Sequence, residues 1–346
     1  MDTRLSVRFR DFPNRTSTAP LKSLIELASG QEFEICEDIN AHVDVEITGP
    51  YGGDSDSYPT PFLKRTSRGL LSRMTRGKHL SIPSLAVGIT PNPLAKLNIW
   101  YTGENQRPPF GAWDAYLTFD AKFPTSNNFY FPLWILTSTD LVSKLDQSYW
   151  GRNSPTIREL MSPRVLSKPK KKFACAFIGK NYRLRLHAIS ELRKIGEVDV
   201  FGPGSRRPVD SPSDIARDYR FTMCFENDLY PGYITEKPFE AYLSGSVPIY
   251  YGIDSERYLN SSALLNLYDF ESQEQWLNKV KELNSHKDLY ESTYSQPLLN
   301  KSPAHEKCDT NHADEYYLHV QDQFFLDTPN QKLPLPAVRE RNQFQE

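Results

Sequence analysis

Phe221-Thr-Met-Cys-Phe-Glu-Asn-Asp-Leu-Tyr-Pro-Gly-Tyr-Ile-Thr-Glu-Lys-Pro-Phe-Glu-Ala-Tyr-Leu-Ser-Gly-Ser-Val-Pro-Ile-Tyr-Tyr-Gly252 reads as strand, loop, helix, strand. Phe221 to Phe225 is largely apolar, as expected of a strand covered on both faces. It ends in Glu226 and Asn227, at the carboxyl edge where open parallel sheets bind ligands. Thr235 is expected to cap the following helix, with Glu236 in its first turn and Pro238 tolerated there. Phe239, Tyr242 and Leu243 then form one apolar stripe, and Gly245 ends the helix. This places Glu236 and Lys237 at a helix N-terminus facing a crevice, a setting that favours an anion. Glu236 is acidic for a phosphate site, so it is expected to accept from a neutral sugar such as a ribose. Ordinary capping accounts for Thr235 and Glu236 without a ligand. The flanking Glu226-Asn227 pair and the second strand favour a site.

Working outward, Phe173-Ala-Cys-Ala-Phe-Ile-Gly179 is a short apolar strand, and Arg185 to Lys194 carries Leu186, Ile189 and Leu192 at helical spacing. Val198-Asp-Val-Phe-Gly-Pro-Gly is the next strand and turn, which completes a βαβ unit and implies a parallel sheet. Upstream, the segment from Thr137 to Lys172 is polar and interrupted by Pro155, Pro163 and Pro169. Before it, Leu97-Asn-Ile-Trp-Tyr101 reads as a buried strand running into Thr102-Gly-Glu-Asn105. Tyr116 to Asp120 and Phe129 to Leu136 read as further strand-like runs, Ala41 to Thr48 alternates like a strand, and a helix is expected around Leu21 to Ala28. The expected organisation is a first lobe over 1–155, a linker over 156–172, a second lobe over 173–325 and a polar tail over 326–346.

A chain of 346 residues suits two lobes. With 38% hydrophobic residues, 12% aromatics and a net charge of -2, it can bury a large interior and lacks the basic excess of a nucleic-acid binder. Lys168, Lys170, Lys171 and Lys172 read as a solvated linker. Cys36, Cys175, Cys224 and Cys308 form no CxxC pair, which suits free thiols in a reducing compartment. No stretch approaches the ~20 apolar residues of a spanning helix and no signal peptide is read, so a location inside a cell is expected. No metal site is expected. Asp54-Ser-Asp56 sits on a Gly-rich turn, and His305, Cys308 and His312 lack ligand spacing. Neither a phosphate-binding Walker loop nor a dinucleotide fingerprint is present.

The stretch from Phe221 to Gly252 resembles the signature of the α1,3/4-fucosyltransferase family, glycosyltransferase family 10: Phe-Glu-Asn, a short loop, Tyr-(Val/Ile)-Thr-Glu-Lys, a helix, then Val-Pro-(Val/Ile)-Tyr-x-Gly. Tyr101-Thr-Gly-Glu-Asn followed by Trp113-Asp-Ala-Tyr-Leu-Thr-Phe-Asp120 resembles the acceptor-lobe motif of the same family. With Arg185 at the start of the second lobe's first helix, the likeness covers roughly residues 97 to 290.

The resemblance implies an α/β chain of the GT-B fold, two Rossmann-like parallel-sheet lobes facing across a cleft. The N-terminal lobe would take the acceptor and the C-terminal lobe GDP-fucose. Glu236 would bind the ribose, Lys237 and Arg185 the diphosphate, Asn227 and Tyr233 would line the donor pocket, and Glu104 would be the general base. The implied reaction is inverting transfer of L-fucose to a hydroxyl, expected at O3, of an N-acetylglucosamine-containing glycan. It needs no cofactor, with room for stimulation by a divalent cation. The absence of an apolar N-terminal anchor favours a soluble, bacterial-type member in the cytoplasm, with room for peripheral contact at the inner face of a membrane. Two alternatives stay open: another GT-B glycosyltransferase with a different nucleotide-sugar donor, or a silent sugar- or nucleotide-binding protein.

Overall fold

Two all-parallel sheets organise the computed structural model of the chain, which describes residues 4–12, 18, 21–22, 25, 29, 32–50, 84–85, 89–107, 112–120, 125–137 and 157–300. The first sheet is built from β1 (Leu5–Arg10), β2 (Phe33–Ile35), β3 (Val43–Thr48), β5 (Ala95–Tyr101), β7 (Ala115–Thr118) and β8 (Asn128–Tyr130), in the order β2-β1-β3-β5-β7-β8. A small parallel pair, β4 (Ser84–Leu85) with β6 (Gln106–Arg107), lies apart from it. Alternation explains the long strands. In β3, Val43, Val45 and Ile47 are buried apolar residues. Glu46, between them, is fully buried against the Arg10 guanidinium at 2.8 Å and the Asn92 amide at 2.6 Å. A pairing of this kind is what makes a carboxylate tolerable in a sheet interior.

The second sheet has the order β10-β9-β11-β12-β13, with β9 (Lys172–Phe177), β10 (Val198–Phe201), β11 (Tyr219–Phe225), β12 (Val247–Tyr251) and β13 (Leu265–Asn266). On one face, Phe221, Met223 and Phe225 of β11 pack with Ala188, Ile189 and Leu192 of α3 (Arg183–Leu192). Trp276 and Val280 of α6 (Gln273–Ser285) and Tyr290 of α7 (Lys287–Ser295) join the same cluster. On the opposite face lie α4 (Pro212–Ala216) and α5 (Lys237–Leu243), and Cys224 and Tyr250 pack there with Phe239, Ala241 and Tyr242. Covering both faces is what makes β11 read as a continuous apolar run.

The lobes share a core. Trp134 of α1 (Leu133–Thr137) stacks on Phe239 with centroids 4.8 Å apart, and Tyr130 stacks on Tyr258 at 5.8 Å. Ile157 and Leu160 of α2 (Ile157–Leu160) and Leu298 and Leu299 join the same cluster as β1, β3 and β5. The segment expected as a linker therefore contributes a helix to this shared core.

Several local expectations change. The run from Phe129 to Leu136 is not one strand: β8 ends at Tyr130, and Pro132 precedes α1. In α3, Leu186 is 46% exposed, and the buried stripe is Arg185, Ala188, Ile189 and Leu192. The helix is rotated so that an arginine, not a leucine, turns inward. In α5, Leu243 is exposed and Pro238, Phe239, Ala241 and Tyr242 are buried, because Pro238, Ala241 and Tyr242 share the inner face. The start of the expected helix is helical at Leu21, Lys22, Ile25 and Ser29. Asp54, Asp56, His305, Cys308, His312 and the 326–346 tail lie outside the described residues. Among the described residues, no helix is long and apolar enough to cross a membrane.

Candidate active site

The carboxyl edges of β9 and β11 open into a cavity of about 510 Å³. Its wall includes Lys180, Arg185, Asn227, Glu236 and Lys237, and its floor runs between α4 and α5 over the small side chains of Ser213, Ala216, Ala241 and Ser244. Parallel topology explains the position, since it sends the loops after β9 and β11 to the same edge.

Glu226 organises the wall. Its buried carboxylate accepts from Thr235 N at 2.8 Å, Thr235 Oγ1 at 2.7 Å, Lys237 Nζ at 3.1 Å and the Tyr250 hydroxyl at 3.2 Å. Thr235 is therefore not the cap of α5. The flanking position of that helix is Glu236, in helical geometry and without a side-chain capping bond. The Thr-Glu-Lys run is shaped by a carboxylate nine residues upstream, not by local capping. Lys237 also lies 3.8 Å from Glu236. Burial alone lowers its pKa, but Glu226 and Glu236 outweigh burial and hold the ammonium above the usual lysine range.

Arg185, buried at the start of α3, donates from one terminal nitrogen to the Phe225 carbonyl at 2.8 Å and to Asn227 Oδ1 at 2.8 Å. Burial holds its pKa below the usual arginine value, and nearby Tyr182 and Glu226 offset part of that drop. Both acceptors are neutral, so the guanidinium keeps its charge. Asn227 thus holds the arginine in place while lining the same cavity.

Glu104 comes from the other lobe, in the turn after β5. The Thr102 hydroxyl accepts from Glu104 N at 3.2 Å and donates to Glu104 O at 2.9 Å, a local ring that fixes the backbone. The Tyr233 hydroxyl reaches across and lies 3.4 Å from Glu104 Oε2. Tyr233 is buried edge-on against Phe119 at 5.4 Å, and burial, followed by the Glu104 charge, pushes its phenol well above the usual range. It is a neutral donor to a carboxylate. Neighbouring contacts fasten the same loop to the N-terminal lobe: Tyr230 OH to Asp120 Oδ2 at 3.2 Å and Tyr130 OH to the Gly232 carbonyl at 3.2 Å.

Arg185, Asn227, Glu236 and Lys237 are therefore brought to one cavity, while Tyr233 and Glu104 meet each other between the lobes and do not line it. Sequence reasoning passed over two residues. Glu226 counts from the sequence toward a site, as part of the Glu226-Asn227 pair, but receives no role there, although a carboxylate closing an apolar strand is a signal of a buried partner. Lys180 follows Gly179 at the carboxyl end of β9, a position that could have identified it. Chemically, the cavity offers cations for a diphosphate and a carboxylate, Glu236, for sugar hydroxyls.

Comparisons with known proteins agree with this geometry. Residues 167–297 match the family described as Glycosyltransferase family 10 (fucosyltransferase) C-term. The chain is 29% identical over 227 residues to the alpha-(1,3)-fucosyltransferase FucT of Helicobacter pylori, covering 58% of this chain and 47% of that protein. It is 29% identical over 142 residues to the 4-galactosyl-N-acetylglucosaminide 3-alpha-L-fucosyltransferase 9 of Rattus norvegicus, covering 39% of this chain and 40% of that protein. The matches thus span less than half the length of these relatives. A crystal structure of an alpha1,3-fucosyltransferase superposes with a TM-score of 0.63 at 20% identity, over 94% of this chain and 91% of that one. The structure of an alpha1,3-fucosyltransferase with GDP-fucose gives a TM-score of 0.60 with the same coverage. The two parallel-sheet lobes are therefore the GT-B fold, and residues 167–297 match the model of the glycosyltransferase family 10 C-terminal domain.

Proposed function

We propose that the chain transfers L-fucose from GDP-fucose, with inversion, to O3 of an N-acetylglucosamine-containing glycan. The observation that carries this reading is the convergence of Arg185, Asn227, Glu236 and Lys237 on one cavity, with the Glu104 carboxylate brought to Tyr233 of the same loop. The names of the similar proteins from Helicobacter pylori and Rattus norvegicus supply the sugar, the linkage and the acceptor class.

In the proposed reaction the acceptor hydroxyl oxygen attacks C1 of fucose from the face opposite GDP. The bond from C1 to the β-phosphate oxygen breaks, its electron pair leaves with GDP, and the hydroxyl proton passes to Glu104. Glu236 holds the ribose, Arg185 and Lys237 stabilise charge on the departing diphosphate, and Asn227 keeps Arg185 oriented. Fixed cations of this kind perform that task without a metal, so protein treated with a chelator is expected to turn over.

The test is calorimetric titration with GDP-fucose and UDP-galactose, followed by turnover with N-acetyllactosamine. Selective binding of the guanine nucleotide is expected, together with a fall in kcat of about a hundredfold or more in Glu104→Gln at unchanged GDP affinity. Preference for the uracil nucleotide would point to another donor. Tight binding with no turnover, and no effect of Glu104→Gln, would make the chain a silent binder.

A further inference from the structure

We propose that Lys180 is a donor-binding residue that supplies an uncompensated positive charge to the diphosphate; this rests on reading the cavity as a GDP-fucose site. Among the described residues, three cationic side chains line the cavity: Lys180, Arg185 and Lys237. They are not equivalent. Lys237 stands 3.1 Å from Glu226 and 3.8 Å from Glu236, so its charge is already balanced by two carboxylates. Arg185 keeps its charge, but one terminal nitrogen is committed to Phe225 O and Asn227 Oδ1. A diphosphate carries more negative charge than one guanidinium balances.

Lys180 is exposed at the mouth and, among the described residues, its side chain has neither a hydrogen bond nor an ion pair. Several other exposed lysines are differently placed, such as Lys96 with Asp44 at 2.7 Å and Lys194 with Glu191 at 2.7 Å. The backbone beneath Lys180 is anchored. Tyr182 N donates to the Lys180 carbonyl at 3.0 Å, and Asn181 Nδ2 donates to the Gly204 carbonyl at 2.9 Å. A Cβ built on Gly179 meets nothing within 4 Å, so the space beside the loop is open. A fixed backbone carrying a long, free ammonium over a cavity can follow a phosphate with little rearrangement of the chain.

The experiment is titration of GDP and of guanosine into the parent protein, Lys180→Ala and Lys180→Arg, at low and moderate salt. Lys180→Ala is expected to weaken GDP about tenfold at low salt and less at moderate salt, because screening weakens an exposed charge. Guanosine binding should be unchanged, and Lys180→Arg should bind GDP within about threefold of the parent. With GDP-fucose the loss should fall on KM, as a contact shared by ground and transition states requires. A parent protein that binds no GDP overturns the donor reading itself. A parent that binds GDP while Lys180→Ala binds it equally well overturns only the role of Lys180, as does equal weakening of GDP and guanosine.

Discussion

The Lys237 ammonium lies 3.1 Å from a carboxylate oxygen of Glu226 whose side chain is wholly buried. The same carboxylate takes both the amide and the hydroxyl of Thr235 and the hydroxyl of Tyr250, so the strand end, the donor loop and α5 are joined through one residue. Removing it with Glu226→Leu strips Lys237 of its nearer carboxylate and leaves three donors, the Thr235 amide, the Thr235 hydroxyl and the Tyr250 hydroxyl, without their acceptor. Urea unfolding at pH 7 is expected to show a loss of about 3 kcal/mol. The pH dependence follows from the raised pKa of Lys237. A raised folded-state value contributes stability that is complete below the unfolded lysine value of about 10.4 and is lost as pH rises through the folded value. The deficit of the variant should therefore narrow above about pH 10.5. A deficit below about 1 kcal/mol, or one flat with pH, would contradict the pairing.

Asn227 touches Arg185 through its side-chain oxygen at 2.8 Å. Asn227→Asp keeps that shape and turns the neutral acceptor into an anion, forming a partly buried ion pair that offsets the guanidinium charge. GDP affinity measured by calorimetry is expected to fall about tenfold, while thermal stability stays close to that of the parent. Unchanged GDP affinity would show that Arg185 does not serve the diphosphate.

Gly232 has a φ of +82°, and a Cβ built there would stand 2.4 Å from the Phe119 carbonyl oxygen of the other lobe. Gly232→Ala is expected to cost about 2 to 3 kcal/mol in urea unfolding, from backbone strain and the contact together. It should also lower kcat, because Tyr233 is the next residue and its hydroxyl meets Glu104. Gly179→Ala is the control, since nothing lies within 4 Å of its Cβ. Equal behaviour of the two variants would remove the claim that this loop sets the approach of the lobes.

Cys175 and Cys224 are free but buried in β9 and β11, and burial pushes the Cys175 thiol up to about 12. Cys36 is free and half-buried. Native alkylation followed by peptide mapping is expected to label Cys36 and leave Cys175 and Cys224 unmodified until denaturant is added, since the thiolate is the reactive form. Rapid native labelling of Cys175 would mean that the second sheet opens far more readily than its packing implies.

Much of the fold was legible because it rests on local periodicity. The runs at Val198 to Phe201 and Val247 to Tyr251 coincide with β10 and β12, and the run at Phe221 to Phe225 lies wholly within β11. Apolar residues in a parallel strand must be covered on both faces, and that demand is written in adjacent positions. Gathering Asn227, Glu236 and Lys237 at one edge was legible for the same reason, since parallel strands send their following loops to one side, whereas Arg185 was placed with them only by the family resemblance. Leu186 and Leu243 misled because a helix of mixed composition can turn either of two neighbouring stripes inward. For α3 the neighbouring sheet and Phe225 chose the stripe that buries Arg185.

By itself the sequence determined these strands, the parallel character of the second sheet, and charged residues at its edge. Only the tertiary structure decided what those charges meet. Thr235 serves Glu226 and does not cap α5, Lys237 is balanced by two carboxylates, and Tyr233 reaches Glu104 across a sequence separation of 129 residues. The physical reason is range. Periodicity and turn chemistry act over a few residues, whereas the partner of a buried charge depends on how separate elements and lobes are pressed together, and that arrangement follows from the whole apolar core.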